Sequence, residues 1–128
     1  MGKLINGIHH VCIKCATEAE FEKTKEFYGK TLDLEPKRDW GNGVMFDTGN
    51  SYIEVIANAK EDLPQGVIRH IAFRTDNVDA CIDEVKKAGY EIIMEPADIN
   101  IAANPVYPVR VAFCRGPMGE EIEFFTEK

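Results

Sequence analysis

His10, Glu54, His70 and Glu123 are the residues of this chain whose types and placement could do chemistry. Two imidazoles and two carboxylates brought together would hold a divalent cation, which would offset the repulsion between two neighbouring anions. Taken singly, none of the four is informative. A lone Glu in an edge strand is usually solvated, and a lone His near a strand start is more often a hydrogen-bonded core residue than a ligand. Their matched placement in two copies is what counts. Ile8-His9-His10-Val11 is echoed by Ile68-Arg69-His70-Ile71, the second histidine standing 60 residues after the first. Such an internal repeat decides how everything around it is read. Neighbours on a strand point to opposite faces, and of His9 and His10 it is His10 that aligns with His70, so His10 is the candidate.

These residues need elements to position them. Each histidine opens an alternating stretch, His10-Val11-Cys12-Ile13-Lys14 in one copy and His70-Ile71-Ala72-Phe73-Arg74 in the other, which predicts a strand. A helical pattern follows each: Phe21, Lys25, Tyr28 and Leu32 within 18–32, and Val78, Ile82 and Val85 within 77–88, the second stopping at Gly89. The pattern then returns to strands. Val44-Met45-Phe46 and the run from Ser51 to Ile56 flank a turn at Thr48-Gly49-Asn50. Val109 to Phe113 and Glu121 to Phe125 flank a turn through Gly116-Pro117-Met118-Gly119. The expected fold class is α+β: two βαβββ modules, about 4–57 and 66–126, in one domain spanning 1–128.

The period of two then sorts side chains into faces. His10, Cys12 and Lys14 share one face of the first strand, and Tyr52, Glu54, Ile56 and Asn58 share one side of the strand that closes the first module. In the second module His70, Ala72 and Arg74 share a face, as do Glu121, Glu123 and Phe125. All four candidate ligands fall on sheet faces turned away from the helices and would converge if the modules pair about a pseudo-two-fold axis. Helical Phe21, Phe27, Tyr28 and Leu32 are expected in the core. Cys12-Ile13-Lys14-Cys15 has the spacing of a zinc or redox pair, but residues three apart on a strand face opposite ways, which rejects that use. The segment 95–108, with Pro96, Pro105 and Pro108, is long for a connection and is expected to be a mobile loop.

Composition bounds the function. With 128 residues the chain can bury a real core, and 45% hydrophobic residues exclude a disordered or fibrous class. No apolar run approaches the roughly 18 residues that span a bilayer and no signal peptide is evident, so the expectation is a cytoplasmic protein without a membrane partner. Asn6 stands where a myristoylation signal needs Ser or Thr. Acidic residues outnumber Lys and Arg by 22 to 15, a net charge of −7 without basic clusters, which argues against nucleic acid as partner. Cys12, Cys15, Cys81 and Cys114 are too few and scattered for a disulfide framework and are expected as small core residues. A module alone leaves one sheet face uncovered, so the modules should pair within the chain or across a homodimer.

Beside these residues stands a resemblance. Ile8-His9-His10-Val11, Glu26-Phe27-Tyr28 before Leu32-Asp33-Leu34, Tyr52-Ile53-Glu54-Val55, Arg69-His70-Ile71-Ala72-Phe73 and Gly119-Glu120-Glu121-Ile122-Glu123 occur in the order and spacing of one family. They resemble the glyoxalase, bleomycin-resistance and extradiol-dioxygenase group, the vicinal oxygen chelate superfamily. The resemblance spans nearly the whole chain. It implies sheets forming an open cup with the helices on the outer face, and one divalent metal per site held at the positions of His10, Glu54, His70 and Glu123. Nickel, zinc or cobalt suits such donors.

Two His and two Glu look like glyoxalase I, the lactoylglutathione lyase. Methylmalonyl-CoA epimerases typically carry an amide at the position of Glu54, and extradiol dioxygenases use two His and one carboxylate. The implied reaction converts the hemithioacetal of a thiol and a 2-oxoaldehyde such as methylglyoxal to a 2-hydroxyacyl thioester through an enediolate. By the same analogy Glu123 is the catalytic base, Glu54 stays a ligand or serves the other face of the substrate, and Lys14 and Asn58 bind the substrate. Another metal-dependent epimerase or isomerase, an iron-dependent oxygenase and a non-catalytic drug- or metabolite-binding protein of the same fold are the rivals.

Overall fold

The computed structural model describes residues 7–60, 70–101 and 105–128. Of the repeat, Ile68 and Arg69 lie outside the described residues, as do residues 61–66 of the expected junction. The chain divides into two compact units, 1–63 and 64–128. Each is a strand, a helix and three further strands, so the α+β class and the twofold βαβββ plan hold.

In the first unit β1 (His10–Lys14) leads to α1 (Glu18–Glu26). Thr17 starts the helix: its hydroxyl accepts from the Glu20 N–H, and the Glu20 carboxylate accepts from the Thr17 N–H, a reciprocal cap that satisfies otherwise orphaned donors. The expected helix to Leu32 is not one regular helix. It widens into a π turn over Phe27–Thr31, which places the adjacent residues Phe27 and Tyr28 both in the core beside Phe21 and Thr24. Leu32 is only half-buried. Gly29 sits so close to Phe46 that an added Cβ would lie 2.9 Å from its ring, so this turn can lie on the sheet only without a side chain there.

The remaining strands are β2 (Glu35–Asp39), β3 (Gly43–Asp47) and β4 (Tyr52–Ile56), in sheet order β1-β4-β3-β2. Strand β1 runs parallel to β4; the other neighbours are antiparallel. Every residue of β2 is exposed, so it carries no alternation by which periodicity could have found it. The turn at Thr48–Asn50 is where expected, with Gly49 at φ 108°.

The second unit repeats the plan with β5 (His70–Arg74), α2 (Val78–Lys87), β6 (Ile92–Ile101), β7 (Tyr107–Arg115) and β8 (Glu121–Glu127), in order β5-β8-β7-β6. Asn77 caps α2 by accepting from the Ala80 N–H, and Gly89 ends it. The buried stripe of α2, Val78, Ile82 and Val85, lies on a sheet whose buried residues include Ile122 and Phe124. Each such side chain contributes about 1.5–3 kcal/mol of burial. The expected loop 95–108 is corrected. Residues through Ile101 continue β6, paired to β7 from Ala97↔Val111 to Ile101↔Tyr107. Pro96 falls at a register shift of the edge strand β6, which is how prolines are tolerated in a sheet, and Pro108 is the second residue of β7. Residues 102–104 of that segment lie outside the described residues. No helix among the described residues is long and apolar enough to cross a membrane.

Candidate metal centre

In the first unit the register aligns residues into rows across β1, β4 and β3, and neighbours in a row share a face. The rows are His10, Tyr52 and Asp47; Cys12, Glu54 and Met45; and Lys14, Ile56 and Gly43. Ile13, Ile53 and Val55 point the other way and are buried. His10 and Glu54 are therefore diagonal neighbours on one face, with His10 Nε2 3.6 Å from Glu54 Oε1. In the second unit the rows are His70, Glu121 and Arg115; Ala72, Glu123 and Phe113; and Arg74, Phe125 and Val111. The same diagonal brings His70 Nε2 to 3.2 Å from Glu123 Oε1.

These separations can be tested against a metal. Two donors about 2.1 Å from one ion lie about 3.0–3.4 Å apart. The second pair falls inside that range and the first within a few tenths of an ångström of it, so the imidazole and carboxylate of each unit fit adjacent positions on one cation. Among the described residues, no group of three or more His, Cys, Asp or Glu is gathered to hold a metal ion. Each unit holds one such pair.

The pairs have different surroundings. Glu123 is buried, at 9% exposure, between Ala72 and Phe113. Burial raises its carboxyl above the usual carboxylate range, opposed by the charge and hydrogen bond of His70. The His70 ring meets Phe113 edge to face at 5.5 Å. Beside Glu54 stands Cys12 instead of alanine. Partial desolvation, with the hydrogen bond to and charge of Glu54, pushes the Cys12 thiol up to about 11.

Cys12 is thus not the core residue expected; it is exposed on the face that carries His10 and Glu54, and Cys81 is only half-buried. Cys15, facing the other way as the rejected CxxC requires, is buried with Sγ 3.6 Å from the Thr24 hydroxyl. Cys114 is buried, and burial pushes its thiol up to about 12.

His9 also departs from strand alternation. It precedes β1, and its ring lies 5.3 Å from that of Tyr52 and 5.2 Å from that of His10, with the two Nδ1 atoms 3.0 Å apart. When His10 donates through Nδ1, its Nε2 keeps the lone pair a metal ligand needs. No repeat signalled this role, because Arg69 occupies the equivalent position in the second copy. Lys14 and Asn58 are both exposed and mark the same end of the first sheet, where the Ala59 N–H donates to the Cys15 carbonyl at 3.1 Å. A surface depression on the helix side, lined by Glu22, Lys25, Lys30, Asp39 and Phe46 among others, contains none of these residues. Its Lys25 and Glu22 pair with each other at 2.9 Å.

Two βαβββ units, each with a His on its first strand diagonal to a Glu on its last, define a duplicated α+β protein. The profile of the Glyoxalase/Bleomycin resistance protein/Dioxygenase superfamily matches residues 7–124, and the chain belongs to that superfamily. Among curated proteins none matches. Among solved structures, the chain is similar to a glyoxalase family protein from Bacillus anthracis, with 27% identity, full coverage of both chains and a TM-score of 0.72. An integron cassette protein from the mobile metagenome of V. cholerae is 20% identical, with 98% of each chain covered and a TM-score of 0.69. A glyoxalase/bleomycin resistance protein/dioxygenase from Alicyclobacillus acidocaldarius is 17% identical, with 95% of this chain and 92% of that one covered and a TM-score of 0.67. The last two show the fold alone.

Proposed function

We propose that the chain is a metal-dependent isomerase of the glyoxalase I kind, converting the hemithioacetal of a 2-oxoaldehyde and a thiol to a 2-hydroxyacyl thioester. The observation that carries this is the His–Glu pair, found twice at the same two positions of a parallel strand pair. His10, Glu54, His70 and Glu123 would hold one divalent ion, nickel, zinc or cobalt, with the 1–128 span working as one domain in a homodimer. A bound ion supplies Lewis-acid stabilisation of the charge that develops on adjacent substrate oxygens.

Glu123 is the base. Its burial between Ala72 and Phe113 raises its carboxyl, bringing its proton affinity nearer the range in which a base works at neutral pH. It takes the proton from the carbon bearing sulfur and returns it to the neighbouring carbon. Glu54, which accepts from the Cys12 thiol, stays a ligand. Lys14 and Asn58, at one end of β1 and β4, hold the part of the substrate remote from the reacting carbons.

Two measurements test the assignment. Wild-type protein reconstituted with nickel, zinc or cobalt should retain one ion per site by elemental analysis, while His70→Ala loses it with circular dichroism unchanged. With methylglyoxal and a panel of thiols in deuterated water, the wild type should exchange the substrate carbon-bound proton. Absence of exchange with every thiol ends the isomerase reading, and sedimentation as a monomer with metal still bound ends the homodimer.

A further inference from the structure

The first sheet carries a feature that proton transfer does not use. Trp40 is the chain's single tryptophan and lies in the turn between β2 and β3, where its backbone N–H donates to the Gly43 carbonyl at 3.0 Å. An added Cβ on Gly43 would collide with the indole. Gly43 shares its row with Ile56 and Lys14, so the indole covers Gly43 on the His10 and Glu54 face. The register of β2 agrees. Arg38 stands opposite Met45, hence on that face, and Trp40 follows two residues later. Gly43 is buried beneath the ring, yet Trp40 itself remains 46% exposed.

One end of this face therefore presents an accessible indole, the apolar side chain of Ile56 beside it, and Lys14 at the far end of the row. Adjacent strands are about 4.8 Å apart, so Lys14 and Gly43 are separated by about 10 Å, the reach of a ring with an anionic substituent. Arg38 adds a second cation in the adjacent row, while Asp39, opposite Val44, faces away and accepts from the Gly41 N–H. Tryptophan offers a flat face to stack on, and lysine a point charge for carboxylate or phosphate.

We propose that Trp40, Ile56 and Lys14 form a binding site for a planar ring carrying an anionic group, such as a nucleotide or an aromatic acid. The site lies one row, about 7 Å, beyond Glu54, and so takes the group attached to the reacting carbons rather than those carbons themselves. Its assignment to the thiol carrier or substrate tail rests on the isomerase reading; the binding does not.

The test is a titration of metal-stripped full-length protein with adenosine monophosphate, benzoate, ribose 5-phosphate and glutathione, followed by Trp40 emission. Saturable quenching by adenosine monophosphate or by benzoate, with ribose 5-phosphate and glutathione at least about 10-fold weaker, is expected. The stronger of the first two tells a nucleotide from an aromatic acid. Lys14→Met, which keeps the indole, should weaken binding about 10- to 100-fold. Trp40→Leu, followed by calorimetry, should weaken it about 5- to 100-fold, with Trp40→Phe recovering most of the loss.

Ribose 5-phosphate binding as tightly as adenosine monophosphate would overturn the ring, and preference for glutathione would overturn the planar ligand. No saturable response to any probe would overturn the site. Ring binding without proton exchange would leave this site standing and the isomerase reading fallen. Exchange without ring binding would do the reverse.

Discussion

On the first sheet, His10 and Glu54 share their face with Cys12, Met45 and Lys14; on the second, His70 and Glu123 share theirs with Ala72, Phe113 and Arg74. The donors are duplicated and the neighbours are not. Around Glu54 the neighbours include a thiol that hydrogen-bonds it, and a half-exposed indole lies one row away. Around Glu123 they are a methyl group and an aromatic ring that exclude water and raise its carboxyl. A carboxylate held by a donor is a good ligand, whereas one that burial makes more basic is the better proton acceptor. Under the proposed isomerase reading, two chemically identical side chains would divide the labour in this way.

The sharpest way to break that division is Glu123→Gln against Glu54→Gln. If Glu123 is the base, Glu123→Gln lowers kcat by about 10²- to 10⁴-fold with metal content by elemental analysis retained. Glu54→Gln, at matched metal loading, should lose far less turnover and lower metal affinity instead. Equal kcat losses in the two loaded variants would abolish the distinction.

A second effect concerns the thiol. Cys12 is exposed, but with its thiol pushed from 9.0 to about 11 it should react with a thiol reagent in metal-free protein about 100-fold more slowly than an unperturbed cysteine below pH 9. The thiolate is the reactive form, so the rate should keep climbing with pH through about 11. Glu54→Gln removes the charge and should recover part of the rate. The remainder, due to desolvation, should persist. Mass-mapped labelling kinetics between pH 7 and 11 checks this.

The smallest effect expected is from exchanging the neighbours themselves. Cys12→Ala gives the first sheet the neighbour the second has, and Ala72→Cys does the converse. A hydrogen bond from a weak thiol donor contributes about 1 kcal/mol or less, so Cys12→Ala should change metal affinity by less than about 10-fold. Ala72→Cys should slow turnover more than Cys12→Ala, because it places a donor on the base. Calorimetric metal titration and steady-state rates on both variants decide it.

Much of this was legible in the chain because the signals are local. Alternation around His10 and His70, the turn residues at Gly49 and Gly119, and Gly89 after α2 each act within a few residues, and the structure uses all of them. Strand β2 was not legible, since Glu35–Asp39 is exposed throughout and forms a strand only because β3 offers hydrogen-bonding partners. For the same reason the proline-bearing stretch read as a loop is β6 through Ile101. The end of α1 was misjudged because a π turn keeps a helical pattern of apolar residues while shifting which of them face inward.

By itself the sequence determined the repeat, the α+β class, the parity that sets His10, Glu54, His70 and Glu123 on their faces, and the opposition of Cys12 to Cys15. Side-chain parity along a strand is a property of the backbone and needs no partner. Register was decided only by the tertiary structure: that Cys12 stands opposite Glu54 and Ala72 opposite Glu123, that Trp40 folds over Gly43, and that Glu123 is buried. β1 and β4 are parallel strands joined through a helix and two strands, so which residue meets which is settled by packing across the sheet and not by any run of neighbours along the chain.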